Sequence, residues 1–216
     1  MARQQVLVVG VGRFGAAVAR ELERLGHEVL AVDINEEAVN DIAREVTHAM
    51  QLDASDEDAL RAAGAGDFTT AIVAISGRAE PSIFATMVLK RLGVANVIAK
   101  AADQLHAEIL RRVGADRVIL PEQETGTRLA HSFHVPNVID YLDIGPSFGI
   151  EKVRPPAAFI GKSLRELDLK TRMGVTPIAV RRGKNVIINP APEERVQQAD
   201  ELILIGRDDQ LEELRG

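Results

Sequence analysis

The sequence has no cysteine and no tryptophan, a single tyrosine, and only 3% aromatic residues in 216. Without cysteine there is no disulfide, thiolate metal site, iron–sulfur cluster or cysteine nucleophile. So few aromatics leave little for a base-stacking platform. The 26 basic and 32 acidic side chains give a net charge of −6, which points away from a nucleic-acid partner. No run approaches the ~18–20 apolar residues of a membrane span. The apolar stretch after Met1-Ala2-Arg3-Gln4-Gln5 is too short for a secretory leader. What remains, at 46% hydrophobic and 27% charged, is an ordinary globular composition. At roughly 100–200 residues per domain, the length fits one large domain or two small ones.

Up to about residue 134 short apolar runs alternate with helical patterns. Val6–Val9, 28–32, 47–52, 71–75, 96–99 and 117–120 read as strands. Helices are expected over 13–25, 36–45, 56–63, 79–92, 103–113 and 122–133, with Gly26 and Gly93 closing two of them. Closely spaced strands alternating with helices imply right-handed crossovers and a parallel sheet, and the continuous apolar run Val6–Val9 suits a strand buried on both faces. The expectation is an α/β fold, a Rossmann-type doubly wound parallel sheet. Val135-Pro136-Asn137, Gly145-Pro146 and Pro155-Pro156 then break the rhythm. Domains are expected at 1–134 and 135–216, the second a small α+β unit with strands near 148–154, 176–181, 186–189 and 202–205. Arg182-Gly183-Lys184-Asn185 reads as a hairpin turn.

Gly10-Val11-Gly12-Arg13-Phe14-Gly15 has the spacing G-x-G-x-x-G between a strand and a helix, and Asp33 ends the next strand. That context marks a dinucleotide- or nucleotide-binding loop. Gly10 permits the tight turn, Gly12 lets backbone approach a pyrophosphate, and Gly15 allows close helix–strand packing. Asp33 suits ribose hydroxyls and repels a 2′-phosphate, so NADP is disfavoured. Asp53, ending the third strand, is placed to accept from an adenine amino group, with Ser55 the better cap for the helix that follows. Ser76, Gly77 and Lys100 end the fourth and fifth strands, on the ligand edge of such a sheet. Arg13 is unusual. A cation at a helix start opposes the helix dipole, but it supplies a charge-assisted donor to a terminal phosphate.

An oxidoreductase would need an acid/base group in its second domain. The five histidines are at 27, 48, 106, 131 and 134, none later, and no H-x-x-x-H or H-E-x-x-H spacing exists. An NAD-dependent oxidoreductase is therefore the weaker alternative to a non-enzymatic nucleotide sensor. Gly161-Lys162-Ser163 lacks the upstream glycine of a phosphate loop, Pro156 standing there. Ser163-Leu164-Arg165-Glu166 reads better as a capping box. Arg181, Arg182 and Lys184 read as a solvated hairpin tip.

Together with the glycine loop and Asp33, Gly26-His27-Glu28-Val29, Asp53-Ala54-Ser55-Asp56, Ala99-Lys100-Ala101 and 114–122 (Gly-Ala-Asp-Arg-Val-Ile-Leu-Pro-Glu) resemble the RCK (KTN, TrkA-N) family. Gly161–Leu167 and Gly174-Val175 resemble its companion TrkA-C domain. The single pair is similar to the regulatory subunits of Ktr-type bacterial potassium uptake systems. The resemblance implies a homodimer assembling into an octameric ring, cytoplasmic and peripheral on the membrane beneath an integral-membrane potassium channel subunit (KtrB-like). It implies ATP and ADP in the Rossmann cleft, with NAD(H) also bound in the family. The nucleotide ligands would be Gly10, Gly12, Arg13, Phe14, Gly15, Asp33, Ile34, Asp53, Ala54, Ser76, Gly77 and Lys100. Arg13 matches an arginine that reaches a neighbouring subunit's terminal phosphate. Glu122 matches a carboxylate that helps hold a cation (Mg, Ca or Na) between two sites; read alone, it is equally a first-turn helix acid. Cyclic di-AMP binds TrkA-C pairs in the family, which here would involve 172–178 with Asn189-Pro190, although no clear motif supports it. A regulator of a different transporter is a further alternative.

Overall fold

The computed structural model describes residues 3–134 and 137–213. The chain divides into two compact units, Met1–Glu122 and Gln123–Gly216. The sequence pattern places the boundary at 134/135, with the joining helix in the first domain; the Val135-Pro136 interruption lies outside the described residues.

The first unit runs β1 (Gln5–Val9), α1 (Arg13–Arg24), β2 (Glu28–Asp33), α2 (Glu36–Ile42), β3 (His48–Gln51), α3 (Glu57–Ala62), β4 (Thr70–Val73), α4 (Ala79–Arg91), β5 (Asn96–Lys100), α5 (Gln104–Arg112), β6 (Arg117–Ile119) and the start of α6 (Pro121–His134). The sheet order is β3-β2-β1-β4-β5-β6, and every pairing is parallel. Alternation along β1 shows both faces covered. Val6 and Val8 join one cluster with Ala19 and Ile42. Leu7 and Val9 join the other with Leu60, Leu89 and Leu110. The doubly wound expectation holds. Its consequence is positional: the chain leaves β1 and β4 in opposite directions along the sheet, so a crevice opens between their carboxyl ends.

The second unit contains β7 (Val138–Gly145), β8 (Phe148–Val153), α7 (Leu164–Leu167), α8 (Leu169–Met173), β9 (Thr176–Arg182), β10 (Asn185–Ile188), β11 (Asp200–Arg207) and α9 (Asp208–Glu213). The sheet is antiparallel in the order β10-β9-β11-β8-β7. Leu164, Leu167, Val180, Leu202, Leu204 and Leu211 form its core. The capping box is present: Glu166 N–H donates to Ser163 Oγ and the Glu166 carboxylate accepts from Ser163 N–H.

Two sequence expectations need correction here. The sequence carries no strand signal over β7; Pro146-Ser147 is the turn of a β7–β8 hairpin, with Ser147 at φ 63. The Arg181-Arg182-Lys184 segment is a hairpin, but Arg182 is not a solvated tip. Its guanidinium grips Asp200 through Nε at 2.8 Å and Nη2 at 2.9 Å and reaches Glu194 at 2.9 Å. The Asp200 side chain is fully buried. The arginine holds that carboxyl below its ordinary range and is itself pushed further up.

Candidate nucleotide site

The glycine loop is built by three different constraints. Gly10 sits at φ +90, and a Cβ there would lie 2.8 Å from Ile75 N. Both facts demand glycine. At Gly15 a Cβ would stand 1.8 Å from Gly10 O and 3.0 Å from the Ala74 Cβ, so helix α1 packs down on the strand ends. Gly12 is different. Its φ is −62, and a Cβ would meet nothing within 4 Å. The chain's own packing leaves the space over Gly12 open, as a cradle for an approaching group requires.

The N-termini of α1 to α5 fall into two sets. The caps of α2, α3 and α5 are Asn35, Asp56 and Asp103, each accepting a backbone N–H from the first turn. Helices α1 and α4 follow β1 and β4, the strands flanking the crevice, and neither has a side-chain cap. Helix α1 also has no acidic residue in its first turn and begins on Arg13. Unsatisfied first-turn amides carry the positive end of the helix dipole and bind anions. Arg13 is exposed and makes no hydrogen bond or ion pair with the described residues.

Asp33 anchors the loop. One carboxylate oxygen accepts Val11 N–H at 2.7 Å, and the other accepts Asn35 N–H at 2.9 Å. Each oxygen keeps a second lone pair for a ribose hydroxyl. The positioning of the loop by Asp33 was not foreseen. Gly10 N–H donates to Val32 O, and Leu52 N–H donates to Asp33 O, tying the ends of β1, β2 and β3 together. Ile34 is exposed and Ala54 buried. Asp53 is turned to its own loop, accepting from Ser55 N–H and Ser55 Oγ–H, which holds its carboxyl below the ordinary range. The cap of α3 is Asp56, not Ser55.

On the other side of the crevice, Lys100 ends β5 with its side chain 10% exposed. Its Nζ donates to Ser76 Oγ at 3.1 Å and to Glu122 Oε1 at 2.7 Å. It lies 5.6 Å from the Phe14 ring centroid, within cation–π range. The Lys100 hydrogen bond is the main cause holding the Glu122 carboxyl below its ordinary range; the fields of Lys100 and Arg13 add to it. A cavity of about 270 Å³ is lined here by Ser76, Gly77, Arg78, Lys100, His106 and Glu122, among others. His106 is a structural histidine. Its Nδ1 accepts Ala102 N–H at 3.2 Å, so the ring proton sits on Nε2 and faces Ser82 Oγ at 2.9 Å. Burial pushes it below its usual value, against a weaker pull from Asp103. Its place on the cavity wall had no signal in the sequence. His131 and His134 side chains lie outside the described residues.

The arrangement can take a phosphorylated nucleotide: an open glycine, a helix start without a side-chain cap, an arginine unpaired among the described residues, and a carboxylate with spare lone pairs. For a metal, one chain offers less. Among the described residues no group of three His, Asp or Glu converges, and Glu122 is already held by Lys100. No helix among the described residues is long and apolar enough to cross a membrane.

Comparison with known proteins shows the family and the fold. The sequence model of the TrkA-N domain matches residues 6–121, and that of the TrkA-C domain matches 150–216. Ktr system potassium uptake protein A of Bacillus subtilis is 37% identical over 94% of this chain and 91% of its own length. Protein C of the same organism is 36% identical over 94% and 92%. Among solved structures, the GsuK RCK domain superposes with a TM-score of 0.71 at 19% identity, covering 99% of this chain and 47% of that one. The chain belongs to the family that pairs a TrkA-N with a TrkA-C domain, alongside the Ktr potassium uptake proteins A and C.

Proposed function

We propose that this protein is a nucleotide-sensing regulatory subunit of a potassium uptake system, with no catalysis of its own. The observation that carries the reading is the pair of uncapped helix N-termini, α1 and α4, that flank the β1/β4 crevice beside the open Gly12. Relatives named as Ktr potassium uptake proteins, matched over nearly their full length, supply the physiological setting.

ATP and ADP are the ligands that the site discriminates. The phosphates lie over Gly10, Gly12 and the first turn of α1 with Phe14 and Gly15, the ribose on Asp33, and the adenine beside Ile34, Asp53 and Ala54. Ser76, Gly77 and Lys100 close the far wall. Arg13, without a hydrogen bond or ion pair among the described residues, is placed to meet a terminal phosphate carried by a second copy. Two triphosphates facing each other repel, and a cation such as Mg, Ca or Na bound by Glu122 from each copy offsets that charge. The functional division is 1–134 for nucleotide sensing and 135–216 for dimerisation and a second ligand. A ligand shifts an equilibrium only by contacting its two states differently, and the γ-phosphate supplies that difference between alternative rings of copies. The ring, an octamer in this reading, lies cytoplasmic against an integral-membrane potassium channel subunit.

NAD(H) fits the same loop, and a solved structure of the same fold is the GsuK channel bound to NAD. Cyclic di-AMP is the candidate for the second unit, where Asn189 N–H donates to Ile178 O and brings the two expected segments together. The test is a calorimetric panel of ATP, ADP and NADH with light scattering on each sample. ATP and ADP binding that yields distinguishable large assemblies supports the reading. NADH binding alone on a dimer, or NADH consumption with a panel of carbonyl compounds, overturns it in favour of an oxidoreductase.

A further inference from the structure

The Lys100–Glu122 pair joins segments far apart in the chain. Lys100 is the last residue of β5, Ser76 follows β4, Phe14 is in the first turn of α1, and Glu122 is in the first turn of α6. The ammonium group is nearly enclosed, whereas the Glu122 side chain is 68% exposed. A charge-assisted bond at 2.7 Å is strong, but its acceptor sits in solvent, so separation costs Lys100 far more than Glu122. The buried ammonium must therefore always have an anionic or polar partner. It faces a cavity of about 270 Å³ whose wall also carries Ser76 and Gly77. Gly77 is at φ +100, and a Cβ there would meet nothing within 4 Å, so backbone is open to an incoming group on this side too. The Phe14 ring, packed at 5.6 Å from Nζ, links this ammonium to the turn that begins with Arg13.

We infer that Lys100 is a partner-exchange residue: its ammonium holds Glu122 in the nucleotide-free chain and transfers to a phosphate oxygen when the crevice fills, releasing Glu122. The inference rests on the nucleotide-sensing reading and deepens it. Released Glu122 keeps its negative charge but loses its counter-ion at the first turn of α6. It is then free for a cation or for Arg13, whose field it already feels. One buried lysine thus converts phosphate charge at α1 and α4 into a change of partner at the start of α6, without any change in the sheet. Lys100 acts here as a positioning residue for Glu122 as well as an anion ligand.

The test is a double-mutant cycle on the full chain, with ATP affinity measured by calorimetry in EDTA for wild type, Glu122→Gln, Lys100→Met and the double variant. Glu122→Gln removes the ion pair, leaving the ammonium at most a neutral amide acceptor, and tightens ATP roughly fivefold, the upper size of a pair whose acceptor sits in solvent. In the Lys100→Met background the same substitution changes affinity by less than about twofold, because contacts in one network are not additive. Should Lys100→Met fail to fold by circular dichroism, Lys100→Gln takes its place. A parallel reading comes from NMR of the Lys100 ammonium protons, slowly exchanging without nucleotide, shifted by ATP and lost to fast exchange in Glu122→Gln. Equal effects of Glu122→Gln in both backgrounds overturn the inference and leave nucleotide sensing standing. No ATP binding by the wild type, with or without magnesium, sinks the sensing reading and the inference with it.

Discussion

Two glycines three positions apart should respond to the same substitution in opposite ways. At Gly12, alanine fits the backbone, since φ is −62 and ψ is −175, and the added methyl touches nothing in the chain. Replacing glycine at a compatible φ/ψ stabilises by about 0.4–1 kcal/mol through the unfolded chain. Losing glycine at a helix N-cap costs a similar amount, on the order of 0.5 kcal/mol. The two offset, and Gly12→Ala should unfold within about 2 °C of wild type. At Gly15 the same methyl stands 1.8 Å from Gly10 O. Helix α1 must retreat from the strand ends by more than an ångström, a distortion costing about 1–3 kcal/mol. At roughly 3–6 °C per kcal/mol, Gly15→Ala lowers the melting temperature of the first unit by up to about 10–15 °C.

Binding separates the pair further. A phosphate seated on the Gly12 amide is pushed away by the new methyl, and loss of a charged hydrogen bond of about 1.5–3 kcal/mol weakens ATP roughly 10- to 100-fold. Thermal unfolding and calorimetry on both variants read the two quantities independently. Gly12→Ala with wild-type melting and wild-type ATP affinity refutes the assignment of the open space to phosphate. Gly15→Ala with wild-type melting refutes the packing argument.

Three further outcomes are expected. Arg13→Ala should weaken ATP by about tenfold and ADP by less than about twofold, as measured by calorimetry on the assembled protein; equal losses would mean that Arg13 does not read the terminal phosphate. In the second unit, Arg182→Ala strands the fully buried Asp200 and should cost about 3–5 kcal/mol, whereas Asp200→Ala leaves Arg182 paired with Glu194 and should cost about 2–3 kcal/mol in urea unfolding. The reverse order would contradict the burial argument. Asp200 also makes the second unit acid-labile: its folded carboxyl lies below the ordinary 3.8 because Arg182 bonds it, so the unfolded chain takes up the proton first. The contribution is complete above the ordinary value and disappears as pH falls from about 4 through the folded one. Asp116, bonded by Val97 N–H and Lys90, adds the same slope in the first unit. Unfolding midpoints between pH 6 and 2 measure it, and the slope should flatten in Arg182→Ala.

How much of this could be read from the chain depended on how local each feature is. The first unit was legible because β1, β2, β4 and β5 carry continuous apolar stretches and most of its helices are punctuated by glycine or a short polar cap. β7 was not, because two register shifts, between Val138 and Asp140 and between Asp143 and Gly145, destroy the period-two alternation that marks a half-buried strand. Asp143 and Gly145-Pro146, ordinarily loop signals, then completed the disguise. Ser55 and Asp56 are both good caps, and only backbone register decides that Asp56 faces the amides. Arg182 looked like a hairpin tip because its partner Asp200 lies on another strand, 18 positions away.

The site divides along the same line. The glycine spacing and Asp33 are local to one β-α-β unit, so they announce themselves. The strand ends already place Ser76 and Lys100 on the ligand edge, but no spacing encodes the contacts that join Lys100 to Ser76, Phe14 and Glu122. What joins the two halves is a pattern of omission. A chain that caps α2, α3 and α5 with Asn35, Asp56 and Asp103 shows that it has the means to satisfy helix amides. It leaves α1 and α4 without a side-chain cap and starts α1 with a cation, contrary to the dipole preference of about 0.3–1 kcal/mol. A second cation, Lys100, is buried at the same edge. Each choice alone is a small destabilisation of the empty chain. Together, on the two helices that follow neighbouring strands β1 and β4, they leave a site short of negative charge. Local rules broken in concert at one place mark function rather than error. In the proposed reading a nucleotide's phosphates bring that charge, and ATP brings more of it than ADP.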